Sequence, residues 1–192
     1  MIDGVRADHA ITRRYQAKYG NGTIDSGPLA VDLVRKVGLQ MLAAYRVMRF
    51  FDEAGIPVAP MIASRAIRHL YGSDIHWKAE FEPGIVIVHG FGLAISKSAR
   101  VRSGAILFQH VTLAEAIDSE SRVFGGPTIE NDVHVGPGAT VIGPIHVGAR
   151  SKLIASAVVR SSVPADSLVE APSSTVTRRG RSGANAAEPA KD

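Results

Sequence analysis

A six-residue period of aliphatic side chains runs through the second half of this chain. A helix repeats every 3.6 residues and an alternating strand every two, so neither produces a strict period of six. A coil with three short flat strands per turn does, with one large aliphatic residue pointing inward from each side. The uninterrupted series is Ile129, Val135, Val141, Val147, Leu153 and Val159. Four residues after each stands a small or apolar residue suited to a corner: Val133, Ala139, Ile145, Ser151, Ala157 and Val163.

The same period extends towards the N-terminus, with two interruptions. Its earlier members are Ile75, Phe81 and Ile87, then Ile95, Val101 and Leu107, with a two-residue phase slip between the groups near Gly92. The second interruption is the polar stretch AEAIDSESRVFGGPT. The pattern therefore predicts a parallel β-helix over residues 73–177 with a loop insertion at 114–128, and inserted loops commonly carry function.

The region before the coil has a helical pattern. Between Pro28 and Ala54 apolar residues recur every three or four positions, which indicates an amphipathic helix. A second, shorter helix is predicted from Ala59 to Leu70, while residues 1–27 give little guidance. The predicted fold class is mainly β, a parallel β-helix preceded by a small α-helical N-terminal region over residues 1–72. We interpret most of that region as a packing and association element.

Composition narrows the functional classes. The chain has 192 residues, 45% hydrophobic and 21% charged, as in an ordinary globular protein. It lacks both a run of about 18 apolar residues and the apolar core of a secretory signal, so we expect a cytoplasmic protein without a membrane span. The absence of cysteine excludes disulfides, thiolate metal sites and a thiol nucleophile.

The C-terminal segment 178–192 is basic and poor in large apolar side chains. Arg178, Arg179, Arg181 and Lys191 all fall within it, and we expect a disordered tail. No recognition motif or interleaved aromatic pattern accompanies these charges, so we expect no nucleic-acid partner.

Four motifs make the segment from about Leu39 to Val176 resemble the serine acetyltransferases, within the hexapeptide acyltransferase superfamily. These are AYR at 44–46, DIHWKAEFEPGIVIVHGFG from residue 74, QHVTL at 109–113 and PTIENDVHVGPGATVIGPIHVGARSKL from residue 127. The resemblance implies a left-handed coil and acetyl-CoA as donor substrate, with no metal cofactor. It also implies a homotrimer, possibly a dimer of trimers, with pantetheine lying in a groove between neighbouring coils.

The resemblance assigns catalysis to His89, supported by Asp74. One coil takes about eighteen residues, so a separation of fifteen residues brings the two side chains onto adjacent coils near one corner. A carboxylate bonded to one imidazole nitrogen fixes the orientation of the ring and stabilises its protonated form. We therefore expect His89 to take the proton from an acceptor hydroxyl as that hydroxyl attacks the thioester.

The resemblance places the donor channel at Gly136, Lys152 and Ala155. Small residues there would let the backbone approach pantetheine, and the lysine would meet a phosphate, although small residues also suit the corners of any such coil. Pro137 departs from the family pattern, because a proline has no backbone donor to offer a ligand.

The acceptor side departs further from the family. Val88 stands where an aspartate contacts the amino acid, and Gly125 and Gly126 replace the Arg-His pair that receives its carboxylate. The helical-domain aspartate aligns near Thr23, with Asp25 close by. A desolvated zwitterion needs charge-assisted bonds, so we expect an O-acetyltransferase acting on a small-molecule, sugar, polysaccharide or other non-serine hydroxyl.

Three alternatives stay open at this point. One is serine O-acetyltransferase itself. The second, of another class, is a non-catalytic trimeric scaffold. The third is a zinc site resembling that of the γ-class carbonic anhydrases, which the wide spacing of His76, His89, His110, His134 and His146 disfavours.

Overall fold

The computed structural model describes residues 1–19, 27–56 and 58–172. Four helices come first: α1 (Ile2–Tyr19), α2 (Leu29–Arg35), α3 (Val37–Glu53) and α4 (Val58–Tyr71). Short strands follow and form three parallel sheets, which are the three sides of a coil. Sheet A contains β1 (Asp74–Ile75), β4 (Ala94–Ile95), β7 (Thr112–Ala114), β12 (Thr140–Ile142) and β15 (Val158–Val159). Sheet B contains β2 (Glu80–Phe81), β5 (Arg100–Val101), β10 (Thr128–Ile129) and β13 (His146–Val147).

Sheet C is the side of the coil that faces α1. It contains β3 (Val86–Ile87), β6 (Ile106–Leu107), β11 (His134–Val135), β14 (Lys152–Leu153) and β16 (Leu168–Val169). Along most strands the first residue points outward and the second is buried, as a single inward side chain per side requires. The periodic residues from Ile75 to Val159 are all buried, which confirms the predicted parallel β-helix.

The two interruptions of the period have separate structural origins. Asp74 pairs with Ala94, twenty residues on, whereas Ala94 pairs with Thr112, eighteen residues on, so the first turn of the coil holds two extra residues. The second interruption is an antiparallel hairpin of β8 (Ala116–Ile117) and β9 (Phe124–Gly125). Both insertions leave the inward positions in register, because the extra residues are accommodated outside the strands.

The helix predicted from Pro28 to Ala54 is two helices in the structure. The backbone at Lys36 is extended, with φ −110° and ψ 102°, and separates α2 from α3. The break lets the start of α3 lie against the coil, where Gly38 meets the carbonyl of Ile87. Met41 and Tyr45 then join the hydrophobic core of the coil, so the helices and the coil share one core. The division into segments 1–72 and 73–177 stays an interpretation.

Residues 1–27, which gave no clear pattern, begin with α1, and a buried ion pair holds this helix to the coil. Asp8 is fully buried and accepts hydrogen bonds from Nε and Nη2 of Arg46, each at 3.1 Å. The same carboxylate accepts from the backbone N–H groups of Gly84 and Ile85 at 2.8 and 3.0 Å. Arg46 completes the network by donating to the carbonyl oxygens of Phe81 and Glu82, both at 2.6 Å.

Some predictions fall on parts of the chain outside the described residues. These are the tail at 178–192 and the positions of Thr23 and Asp25. Among the helices that the structure describes, none combines the length and the apolar character that a membrane crossing requires.

Candidate active site

His89 lies on a tight turn that follows β3. Its φ angle is +65° and that of Gly90 is +70°, so two successive residues have left-handed backbone conformations. Positive φ recurs at non-glycine residues of other turns of the coil, including His110 and Ser156, so the geometry of the coil accounts for this conformation. The buried hydroxyl of Ser73 fixes the turn, because it donates to the carbonyl of Gly90 at 2.7 Å and accepts from the N–H of Leu93 at 3.1 Å. The turn presents an exposed imidazole on a rigid frame.

A cavity of about 310 Å³, which we call the His89 cavity, opens beside this imidazole. Val88 and Phe91 from the coil line it together with His89. Its other wall comes from three helices, with contributions from Thr12, Tyr15 and Gln16 of α1, Arg35 and Lys36 at the α2–α3 junction, and Val37, Gly38 and Leu39 of α3. A histidine on the coil is thereby combined with side chains from a helix more than 70 residues earlier in the chain.

A buried carboxylate organises the helical wall of the His89 cavity. Asp32 is fully buried and contacts Nε2 of His9 at 2.8 Å and Nζ of Lys36 at 2.9 Å. Lys36 also donates to Oε1 of Gln16 at 2.6 Å. These bonds connect α1 to α2 and hold the polar end of Gln16 at the cavity wall. The sequence pattern gave no sign of these residues, because a helical period identifies a buried face but not the surface that it packs against.

Asp74 does not form the expected bond to His89 in this single protomer. Its Oδ1 lies 2.8 Å from Nη2 of Arg68 on α4, and both side chains are about half exposed. Within the described parts of the chain, no hydrogen bond joins Asp74 to His89. The expected bond is therefore not formed in this protomer, because the guanidinium of Arg68, one turn from the end of α4, binds the carboxylate. The catalytic role of the two residues stays a prediction.

A second cavity, of about 400 Å³, lies between α1 and the outer face of sheet C, and we call it the sheet C cavity. Lys152 lines it, together with Ile11, Arg14, Tyr15, Lys18, Tyr19, Gly104, Ile106, Asp132, His134 and Arg150. Burial, reinforced by the ammonium groups of Lys152 and Lys18, lowers the pKa of His134. Tyr15 lines both this cavity and the His89 cavity, so the two are neighbours along α1.

The other predicted site residues lie apart from both cavities. Gly136 is packed on the next turn of the coil, where an added Cβ would come within 2.6 Å of the carbonyl oxygen of Leu153 and 3.0 Å of the nitrogen of Ala155. Coil stacking alone therefore explains the glycine. Gly125 lies against Pro144 and Gly126 against Ser98. In this protomer, of the predicted acceptor residues, only Val88 shares a cavity with His89.

Comparisons with known proteins agree with this architecture. No protein-family model matches the chain. A serine acetyltransferase of Synechococcus elongatus is 35% identical over 144 residues, which are 74% of this chain and 58% of that protein. A serine acetyltransferase of Helicobacter pylori is 30% identical over 142 residues, covering 73% of this chain and 82% of that protein. The chain belongs to the serine acetyltransferase family.

Solved structures of serine acetyltransferases share the fold. The enzyme of Neisseria gonorrhoeae in complex with serine superimposes with a TM-score of 0.75 at 20% identity, over 89% of this chain and 68% of that one. The enzyme of Brucella abortus in complex with coenzyme A superimposes with a TM-score of 0.73 at 24% identity, over 92% of this chain and 67% of that one. The coil is therefore a left-handed parallel β-helix, as predicted. The chain spans less than two thirds of the length of the Synechococcus serine acetyltransferase.

Proposed function

We propose that this protein is an acetyl-CoA-dependent O-acetyltransferase in which His89 is the general base. The observation that carries the proposal is the exposed imidazole on a left-handed turn at the wall of the His89 cavity. A neutral imidazole takes the proton of an acceptor hydroxyl while its oxygen attacks the acetyl carbonyl carbon. The carbon–sulfur bond then breaks, and the departing CoA thiolate receives the proton from His89. The acceptor becomes an acetyl ester and the donor becomes CoA.

L-serine is the leading acceptor, because the family relatives are named for it. They favour this alternative over the non-serine acceptor predicted from Val88, Gly125 and Gly126. Arg35 and Lys36 line the cavity at the α2–α3 junction, and Lys36 is already bonded to Asp32 at 2.9 Å and to Gln16 at 2.6 Å. In this proposal the serine hydroxyl faces His89 and its carboxylate faces the α2–α3 junction.

A second candidate is an acceptor without an ammonium group. The described residues that line the His89 cavity include no aspartate or glutamate, and Val88 borders the histidine with an apolar side chain. A desolvated ammonium group without a carboxylate partner is costly, whereas a neutral hydroxyl compound or a hydroxy acid avoids that cost. Sugars and hydroxy acids are therefore included among the acceptors to be tested.

We place the active protein in a homotrimer, possibly paired into a dimer of trimers. The β8–β9 hairpin carries Gly125 together with the exposed side chains of Ile117, Val123 and Phe124. An exposed apolar cluster of this kind favours contact with a second protein surface. In the proposed trimer the hairpin of one protomer contributes to the site of its neighbour. Sedimentation that gives an active monomer would contradict the trimer.

The acceptor is tested by thiol release from acetyl-CoA with matched hydroxyl compounds. L-serine is compared with 3-hydroxypropanoate, which has the same hydroxyl and carboxylate but lacks the amine, and with a monosaccharide and an oligosaccharide. A preference for L-serine of at least about tenfold in kcat/KM supports the leading acceptor, since one charge-assisted bond is worth about 1.5–3 kcal/mol. Equal or better turnover of an amine-free compound supports the second candidate. No thiol release with any acceptor overturns the proposed activity.

A further inference from the structure

The sheet C cavity has no role in the acceptor chemistry, although it adjoins the site. We infer that this cavity binds the phosphorylated adenosine end of the donor, and that Arg14, Lys18 and Tyr19 make α1 part of that binding site. The inference rests on the proposed function, because it takes acetyl-CoA as the donor. It adds a helix from the N-terminal region to a site that sequence analysis assigned to the coil alone.

The sheet C cavity is rich in cationic side chains. Arg14, Lys18 and Lys152 line the cavity and form no ion pair with any described residue. The fourth cation, Arg150, is already neutralised by two bonds to Asp166, each at 2.6 Å. Among the described residues that line the cavity, Asp132 is the single carboxylate, so these residues carry a surplus of positive charge. Phosphate groups are the ligands that clustered lysine and arginine side chains favour.

Aromatic rings form part of the wall of the sheet C cavity. The rings of Tyr15 and Tyr19 lie 5.0 Å apart, and Tyr19 meets the His134 ring edge-on at 5.7 Å. Lys18 lies 5.2 Å from the centre of the Tyr19 ring. Aromatic faces beside cations suit a planar base that carries phosphates. A volume of about 400 Å³ is within the range of small-molecule sites.

The sheet C cavity and the His89 cavity are neighbours along α1. Tyr15 lines both cavities, so in this proposal one extended ligand occupies both. Lys152 lies on β14, three strands from β3 in sheet C, which is about 14 Å at the usual strand spacing. A donor whose thioester lies at His89 therefore needs a flexible arm to reach Lys152 with a phosphorylated group. CoA has both the arm and the phosphorylated group.

The test compares a double variant with a matched control on the same helix. Arg14→Gln/Lys18→Gln removes two cations from exposed positions of α1, and Arg13→Gln removes one from an exposed position that lines neither cavity. Titration calorimetry on the full chain measures the binding of CoA and of adenosine 3′,5′-bisphosphate. We expect the double variant to bind both at least about tenfold more weakly, since each charge-assisted bond is worth about 1.5–3 kcal/mol. Arg13→Gln should bind both like the parent protein.

Kinetics provide a second measurement. The KM for acetyl-CoA should rise at least about tenfold in the double variant while kcat is kept, and kcat/KM for acetyl-pantetheine, which lacks the nucleotide, should be unchanged. Unchanged bisphosphate binding in the double variant, or equal weakening in Arg13→Gln, would overturn the inference. Lys152→Gln, on the opposite wall, gives the same test if the helix variants fail to fold. Bisphosphate binding that depends on these residues in a protein without turnover would contradict only the proposed activity.

Discussion

Gly38 of α3 packs directly against the carbonyl oxygen of Ile87 in β3. The approach is so close that an added Cβ would collide with that oxygen and lie 2.8 Å from the carbonyl carbon. His89 follows Ile87 by two residues, so this contact sets the position of the helical wall relative to the imidazole. The shape of the His89 cavity therefore depends on the absence of a side chain at Gly38.

Replacing Gly38 with alanine should destabilise the protein. Alanine gains up to about 1 kcal/mol of helix propensity over glycine, but overpacking against a backbone carbonyl costs about 1–3 kcal/mol, so the collision prevails. Urea unfolding should show a lower free energy of unfolding for Gly38→Ala and little change for the control Val47→Ala, at an exposed position of the same helix. A more stable Gly38→Ala protein would show that α3 does not approach β3 this closely.

Replacing His89 with alanine should lower kcat by about 10²–10⁴, the usual contribution of a general base. Affinity for CoA should change little, because in the proposed mechanism the imidazole acts on the acceptor hydroxyl and not on the nucleotide. The matched control is His110→Ala, at the corresponding left-handed turn of the next coil, where φ is +58°. Steady-state kinetics in which both variants behave alike, or in which a folded His89→Ala protein keeps its turnover, would remove His89 from the mechanism.

Two variants distinguish a positioning role of Asp74 in catalysis from a purely structural role in the ion pair with Arg68. If Asp74 leaves Arg68 and orients His89 in the assembled enzyme, Asp74→Asn should lower kcat much more than Arg68→Gln does. If Asp74 only pairs with Arg68, the two variants should have equal and small effects, since an exposed ion pair contributes about 0–1 kcal/mol. The split between kcat and KM is the additional measurement, because loss of a carboxylate that orients the base lowers kcat, whereas loss of a purely structural pair leaves kcat unchanged.

Replacing Asp8 with asparagine should destabilise the fold strongly. The change leaves the buried Arg46 guanidinium without its counter-charge, and breaking one partner of a buried pair costs about 3–5 kcal/mol. Asp3→Asn is the control on the same helix, because the Asp3 side chain is almost fully exposed. Thermal unfolding should therefore show a large loss for Asp8→Asn and none for Asp3→Asn. Equal stability of the two variants would mean that α1 is not held to the coil through Asp8.

Protonation of His134 should make stability depend on pH. Burial and the nearby Lys152 and Lys18 lower its pKa below the ordinary value of 6.5, so the unfolded chain binds more protons than the folded chain between the two pKa values. The free energy of unfolding should therefore fall as the pH drops below about 6.5. His134→Gln should remove this component, and Lys152→Gln should reduce it. Urea unfolding between pH 7.5 and about pH 5 measures the slopes, and an unchanged slope in His134→Gln would contradict the assignment.

The coil was predictable because its core repeats along the chain. Each inward residue stacks on a residue one turn away, so burial recurs at a fixed interval that the sequence records directly. The phase slip near Gly92 and the polar stretch at 114–128 also appeared as breaks in that interval, and the structure accommodates them as two extra residues and as the β8–β9 hairpin.

The helices were less completely predictable from the spacing of apolar residues. Their apolar spacing predicted helices, but the extended residue Lys36 inside the predicted first helix left no mark on the pattern. The helix α1 is held against the coil because the Asp8 carboxylate accepts hydrogen bonds from the backbone N–H groups of Gly84 and Ile85, 76 and 77 residues away. A single buried carboxylate has no period, so sequence reasoning had no signal for it.

The sequence by itself determined the coil, its insertions and the placement of His89 at a corner, because these follow from a local repeat and from motifs within one segment. Only the tertiary structure decided that α1 covers sheet C, that Tyr15 joins two cavities, and that Asp74 pairs with Arg68. Those relationships depend on the packing of elements that are distant in sequence, where the position of one element is fixed by the shape and charge of another.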